Sequence, residues 1–239
     1  MILRTFFFYI TFYPFTLLCS ISAIIASFLS AERAHAVATI WGKISLQLAG
    51  GRITVEGAEN IPDDSAVIFM ANHASNFDIT SIYAALPVQF RWLAKKELFD
   101  VPIFGTCLKR SGYIPVERSD SRKSLIALKA AAQRVKSGTS IIVFPEGTRS
   151  PDGNLLPFKG GGFILAVQSG VPVVPVAIIG TRCINPKGSL TVRSAEVLIR
   201  ILPPIETAGM KSADRDQLSE DVRQAIGSAL RPEVPEHAA

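Results

Sequence analysis

Cysteine is scarce in this chain. Its 239 residues hold three, Cys19, Cys107 and Cys183, far apart and with no C-x-x-C pair. That excludes a disulfide framework and a cysteine zinc site, and it suits a reducing compartment. Dense Lys/Arg blocks are missing too, and tyrosine is rare (4) beside 14 Phe. The formal charge of +5 therefore points to phosphorylated small molecules or acidic lipid surfaces and not to nucleic acid. No G-x-S-x-G elbow or S-x-x-K motif supplies a serine nucleophile. "KGGGF" at 159–163 is neither a P-loop nor a dinucleotide-binding turn. One histidine beside one aspartate is too few ligands for a catalytic metal. Neither a metal nor a bound cofactor is expected.

The longest absence is of charge. Residues 5–29, "TFFFYITFYPFTLLCSISAIIASFL", carry no charged side chain. As a helix this run would extend roughly 37 Å, enough for a hydrocarbon core of about 30 Å. Pro14 interrupts it, so two arrangements stay open: one kinked spanning helix, or a helical hairpin with the following "AVATIWGKISLQLAG". "AHA" at 34–36 has the form of a signal-cleavage site, but the apolar run is far longer than a signal core of about 7–15 residues. The expectation is a membrane anchor over residues 1–50, a catalytic domain over 51–231 and a loose tail at 232–239.

From Arg52 the pattern changes to apolar strands alternating with amphipathic helices. Strands are expected in "AVIFMANH", "RWLAK", "SGYIPVER", "TSIIVFPEG", "VPVVPVAIIG" and "AEVLIRILPP", with Pro115 pushing the third to a sheet edge. Helices are expected in "DSRKSLIALKAAAQRVKSG", with Leu125, Leu128, Ala132 and Val135 on one face, in "GGGFILAVQSG" and in "SADRDQLSEDVRQAIGSALR". The fold class is α/β, a mostly parallel sheet flanked by helices.

Two stretches carry chemistry. In "ANHASNFDIT" (71–80), His73 falls where a strand ends and Asp78 in the first turn of the next helix. The chain can double back, so that the carboxylate holds one ring nitrogen and leaves the other to take a proton. With no nucleophile motif in the chain, a hydroxyl of the substrate is one candidate for the attacking group. Taken alone, such a pair is more commonly a capping Asp beside a structural His. The second stretch, "FPEGTRS" (144–150), follows the most apolar strand, where open α/β sheets bind ligands. It delivers Glu146, Gly147, Thr148 and Arg149. Arg118, Lys95, Lys96 and Lys159 also leave apparent strand ends, which together make a phosphate-binding rim.

These blocks resemble the glycerolipid acyltransferase family, and within it the bacterial 1-acylglycerol-3-phosphate acyltransferases. "NHASNFD" matches the N-H-x-x-x-x-D block and "FPEGTRS" the third block. "GYIPVER" resembles the second block, and "VPVVPVAI" (171–178) the fourth. Pro115-Val116-Glu117 departs from the family's second block. The resemblance covers roughly residues 52–205. It implies that His73 acts as general base on the sn-2 hydroxyl of lysophosphatidic acid, with Asp78 orienting it. Arg118, Glu146, Gly147, Thr148, Arg149 and Lys95 would bind the substrate. The acyl group would come from acyl-CoA or acyl carrier protein, and the product would be phosphatidic acid. It further implies an anionic membrane surface as partner, at the cytoplasmic face of a bacterial inner membrane. Lys123, Lys129, Arg134 and Lys136 would meet that surface, bind an acidic carrier protein, or form a solvated helix face. Competing readings are acylation of another lysolipid, such as a lyso-ornithine lipid, and a non-catalytic lipid-binding protein, which has no need of a base.

Overall fold

The computed structural model describes residues 2–117 and 120–231. Arg118 and the tail 232–239 lie outside the described residues. The apolar segment forms α1 (Ile2–Ser27), which continues through Pro14. After a short turn, Ser30 caps α2 (Ala31–Leu48) by accepting a hydrogen bond from the Arg33 N–H at 3.2 Å. The two helices form a hairpin, and α1 is docked along its whole length. Arg4 Nη1 donates to Ser194 Oγ (3.0 Å), Trp41 Nε1 to Thr16 Oγ1 (2.9 Å) and Arg110 Nε to Ser27 Oγ (2.7 Å).

The body follows as β1 (Gly51–Glu56), β2 (Ile68–Ala71), α3 (Phe77–Ala85), β3 (Phe90–Lys95), α4 (Phe104–Arg110), β4 (Ile114–Val116) and α5 (Ser121–Lys136). Then come β5 (Ser140–Val143), α6 (Gly161–Ser169), β6 (Val173–Ile179), α7 (Thr181–Ile184), β7 (Ala195–Ile201) and α8 (Arg215–Leu230). The seven strands are ordered β1-β7-β6-β2-β5-β3-β4, all pairs parallel except β6–β7. β1 had no counterpart in the sequence reading, because "GRITVE" is too polar to stand out; five of its six residues are not buried. β4, with Pro115, does lie at the edge.

Alternation along β2 separates two cores. Phe69 and Ala71 pack with Phe8, Leu46, Phe77, Ile82 and Tyr83 beneath α1–α3. Ile68 and Met70 face the other way, toward α5, α6 and α8 through Leu128, Phe163 and Leu218. Leu128, Ala132 and Val135 are buried as their spacing indicated, whereas Leu125 is exposed. Gly42 lets α2 lie directly on α3, since a Cβ there would fall on the Cβ of Tyr83.

That contact also buries His35 on α2. Its ring packs edge-on to Phe90 (4.6 Å) and against Tyr83 (5.5 Å), and Nδ1 has no partner among the described residues. Burial, helped by the nearby Arg91 guanidinium, lowers its pKa from 6.5 to about 4. The unfolded chain takes up a proton near its ordinary value while the folded one does not. Stability is therefore complete above about pH 6.5 and is lost as pH falls toward 4, by at most roughly 3 kcal/mol. His35→Phe should flatten this part of the pH–stability curve measured by urea unfolding. An unaltered slope would remove His35 as its cause.

Candidate active site

Because β2, β5 and β3 are parallel neighbours, their C-terminal ends open on one edge of the sheet, where the chain places its functional stretches. After β2 the chain turns through Asn72–Asn76 before α3. Asn72 extends the sheet pairing with its side chain, donating to Ile178 O (2.9 Å) and accepting from Ile178 N–H (2.7 Å). Ser75 Oγ donates to Asn185 O (2.8 Å), and Ser150 N–H donates to His73 O (2.7 Å).

Asp78 sits in the first turn of α3 with 0% exposure. Its Oδ2 lies 2.6 Å from His73 Nδ1 and accepts the N–H groups of Ala74 (2.7 Å) and Ser75 (2.8 Å). Its Oδ1 accepts the Thr181 hydroxyl. A buried carboxylate with four donors is fully compensated, so His73 carries its Nδ1 proton toward Asp78. Phe144 stacks on the imidazole at 3.9 Å with the planes 7° apart, which fixes the ring. His73 Nε2 has no hydrogen bond among the described residues, and His73 lines a cavity of about 710 Å³.

That cavity falls within the usual size of small-molecule sites. At the sheet edge it is bordered by Lys95, Gly147, Thr148 and Arg149. From there it runs beneath the sheet between Ala23 of α1, Trp41 of α2, Phe104 of α4 and the buried Trp92 and Tyr113. Tyr83 and Tyr113 hydrogen-bond to each other there through their hydroxyls. The apolar helix expected only as an anchor thus supplies a wall of the cavity.

Of the residues singled out in the sequence, His73, Lys95, Gly147, Thr148 and Arg149 border one space. Arg149 is half-buried, and its carbonyl accepts from Lys187 Nζ (2.7 Å). Lys95 is exposed and pairs with Glu97 at 3.1 Å. Lys159 lies alongside Gly147, whose φ of 68° needs glycine and whose missing Cβ leaves room for the lysine stem. Arg118 falls outside the described residues. Glu146 is only 2% exposed and does not border the cavity. Its Oε1 accepts the His73 N–H (2.7 Å) and its Oε2 the Leu156 N–H (3.0 Å). It ties the loop after β5 to the histidine. Burial raises its pKa, and the two N–H bonds partly oppose that rise. Thr181 and Phe144 were not foreseen as partners of the pair. Nothing local marks Thr181, which follows β6 and meets Asp78 only because β6 pairs with β2.

Glu146→Ala would strand two backbone donors and open a void. We expect a loss of about 3 kcal/mol in stability, read as a lower urea midpoint with an unchanged slope. Stability within about 0.5 kcal/mol of the parent would show that the loop does not need this carboxylate.

Residues 52–179 match the acyltransferase family. A chloroplastic 1-acyl-sn-glycerol-3-phosphate acyltransferase of Brassica napus is 35% identical over 198 residues, which is 82% of this chain and 56% of that protein. The alpha-type 1-acyl-sn-glycerol-3-phosphate acyltransferase of Bos taurus is 32% identical over 185 residues, 77% of this chain and 64% of that one. The chain spans between about half and two thirds of the length of these curated relatives. The crystal structure of the 1-acyl-sn-glycerophosphate (LPA) acyltransferase PlsC from Thermotoga maritima matches with a TM-score of 0.82 at 30% identity, over 96% of this chain and 95% of that one. This chain belongs to the acyltransferase family.

Proposed function

We propose that this protein transfers a fatty acyl group from a thioester donor to the free sn-2 hydroxyl of 1-acylglycerol-3-phosphate, giving phosphatidic acid. The observation that carries this reading is the position of His73. Its Nδ1 is committed to Asp78, and its ring faces a cavity that is cationic at the rim and apolar within. The cavity takes the acyl chain, and Arg149 and Lys95 face the acceptor phosphate, with Thr148 beside them. Nε2 removes the hydroxyl proton as the oxygen attacks the thioester carbonyl. The new ester C–O bond forms, the C–S bond breaks, and the proton passes to the departing thiolate. Asp78 stabilises the imidazolium meanwhile. No acyl-enzyme is formed, in keeping with a chain that lacks a serine nucleophile motif.

Attachment to the bilayer belongs to the same proposal. The unpacked side of α1 exposes Phe6, Phe7, Ile10, Leu17, Leu18 and Ile25. A helix tethered at its start, middle and end to the body has lipid available to one side only. We place it lengthwise in the interface of one leaflet, with the body on the cytoplasmic face that the three unpaired cysteines suit.

His73→Ala should lower kcat by on the order of 10²–10⁴-fold without changing the circular dichroism spectrum. Arg149→Ala should raise the KM for lysophosphatidate about 10–100-fold and leave kcat nearly intact. A lysolipid panel offered to the detergent-solubilised protein, with radiolabelled acyl groups, checks both. Strong turnover by folded His73→Ala would remove the general base. Equal use of phosphate-free acceptors, with Arg149→Ala unaffected, would favour the alternative lysolipid. In a separate assay, Phe7→Asp with Leu18→Asp should abolish co-sedimentation with vesicles containing phosphatidylglycerol. Retained binding would contradict the interfacial placement of α1.

A further inference from the structure

α5 contains five cations and no carboxylate: Arg122, Lys123, Lys129, Arg134 and Lys136. At 100° per residue, Arg122, Leu125, Ile126, Lys129, Gln133 and Lys136 fall within one outward stripe about 21 Å long. All six are exposed, opposite the buried Leu128, Ala131, Ala132 and Val135. Lys123 pairs with Asp120 (3.3 Å), and Arg134 donates to Gly112 O (2.6 Å). Arg122, Lys129 and Lys136 form no ion pair among the described residues. Between these cations, Leu125 is 39% and Ile126 62% exposed. Charge alone would keep a solvated helix soluble, and two adjacent bare aliphatics add nothing to that.

Position narrows the partner. α5 begins just after β4, whose C-terminal end shares an edge with β2 and β5. Its first turns therefore stand on the side of the molecule where His73 opens. Its buried face belongs to the core on the far side of the sheet from α1 and α2. With α1 on a bilayer, the α5 stripe is turned toward water. A free nucleotide prefers a cleft of its own size, whereas this surface is long, convex and mixed apolar and cationic. Such a surface complements a folded acidic protein.

We propose that the outward stripe of α5 docks the acyl donor as a small acidic carrier protein. The carrier's carboxylates meet Arg122, Lys129 and Lys136, an apolar side chain covers Leu125 and Ile126, and its thioester-bearing arm reaches His73 around the sheet edge. This rests on the acyl-transfer reading and names the donor.

The test compares the acyl carrier protein thioester and the CoA thioester of one fatty acid, as initial rates with the full chain across a salt series. Arg122→Glu combined with Lys129→Glu should lower kcat/KM for the carrier thioester about tenfold and flatten its salt dependence, with the CoA thioester changed less than about twofold. Ile126→Ser should act in the same direction, and vesicle co-sedimentation should not change. An equal loss with both donors, or none with the carrier, would overturn the proposal. So would a wild-type protein that accepts only the CoA thioester. Loss confined to the CoA thioester would assign the stripe to the nucleotide, and loss of vesicle binding would assign it to lipid. If the wild-type protein uses neither donor with any lysolipid, the acyl-transfer reading itself fails and this proposal falls with it.

Discussion

The site depends on one buried carboxylate. Asp78 has no exposure to water, so its charge persists only because donors surround it. Those donors come from the turn after β2, through the Ala74 and Ser75 amides and the His73 ring, and from the start of α7, through Thr181. Satisfying the charge therefore folds the turn back onto α3 and brings the end of β6 to it. His73 has little choice of position once Asp78 is in place. A histidine on a loose loop would lose this advantage, because a base contributes only when its reach and tautomer are fixed beforehand.

Glu146 does for the neighbouring loop what Asp78 does for its own. It lies 73 residues from His73 in sequence, yet it accepts that residue's backbone N–H. The strand order explains this: β5 pairs with β2, so the two loops that leave them are side by side. Phe144, on the same loop, closes over the imidazole face. In the proposed reaction these residues do no proton transfer of their own. They hold the base in position and shield it, and Arg149 and Lys95 are left to meet the acceptor's charge.

Most of this was legible in the chain, for identifiable reasons. The helix-start aspartate and the strand-end histidine could be placed because continuous apolar runs mark buried parallel strands. Edge placement of β4 followed from Pro115. Glu146 was harder to place. Its neighbours in "FPEGTRS" drew it toward the ligand, whereas its two oxygens are taken up by backbone amides, which no local pattern reveals. Thr181 was invisible because its role depends on β6 lying beside β2, a pairing set by the whole sheet. Leu125 matched the helical period of the buried face and is nonetheless exposed. It sits at the margin of that face, where a period of 3.6 does not separate inside from outside.

The N-terminal segment shows most clearly how composition can point to one role while packing adds another. Twenty-five uncharged residues signal lipid, and one side of α1 does expose bulky apolar groups. The other side packs Phe8 and Phe12 against the core in its first half and carries smaller groups, Thr16, Cys19, Ser20 and Ala23, in its second, where they line the cavity that holds His73. Small residues on a helix face leave space between that helix and whatever it covers, so the void beneath α1 is written into its sequence. Ser20 turns its hydroxyl back to the Thr16 carbonyl one turn earlier, which keeps its polar atom satisfied beside an apolar space. A change on this face alters the cavity, and a change on the opposite face alters only what the helix meets outside. In the proposed function, attachment and acyl-chain binding would therefore be separable by mutation, because the two faces of this helix share a backbone and not a surface.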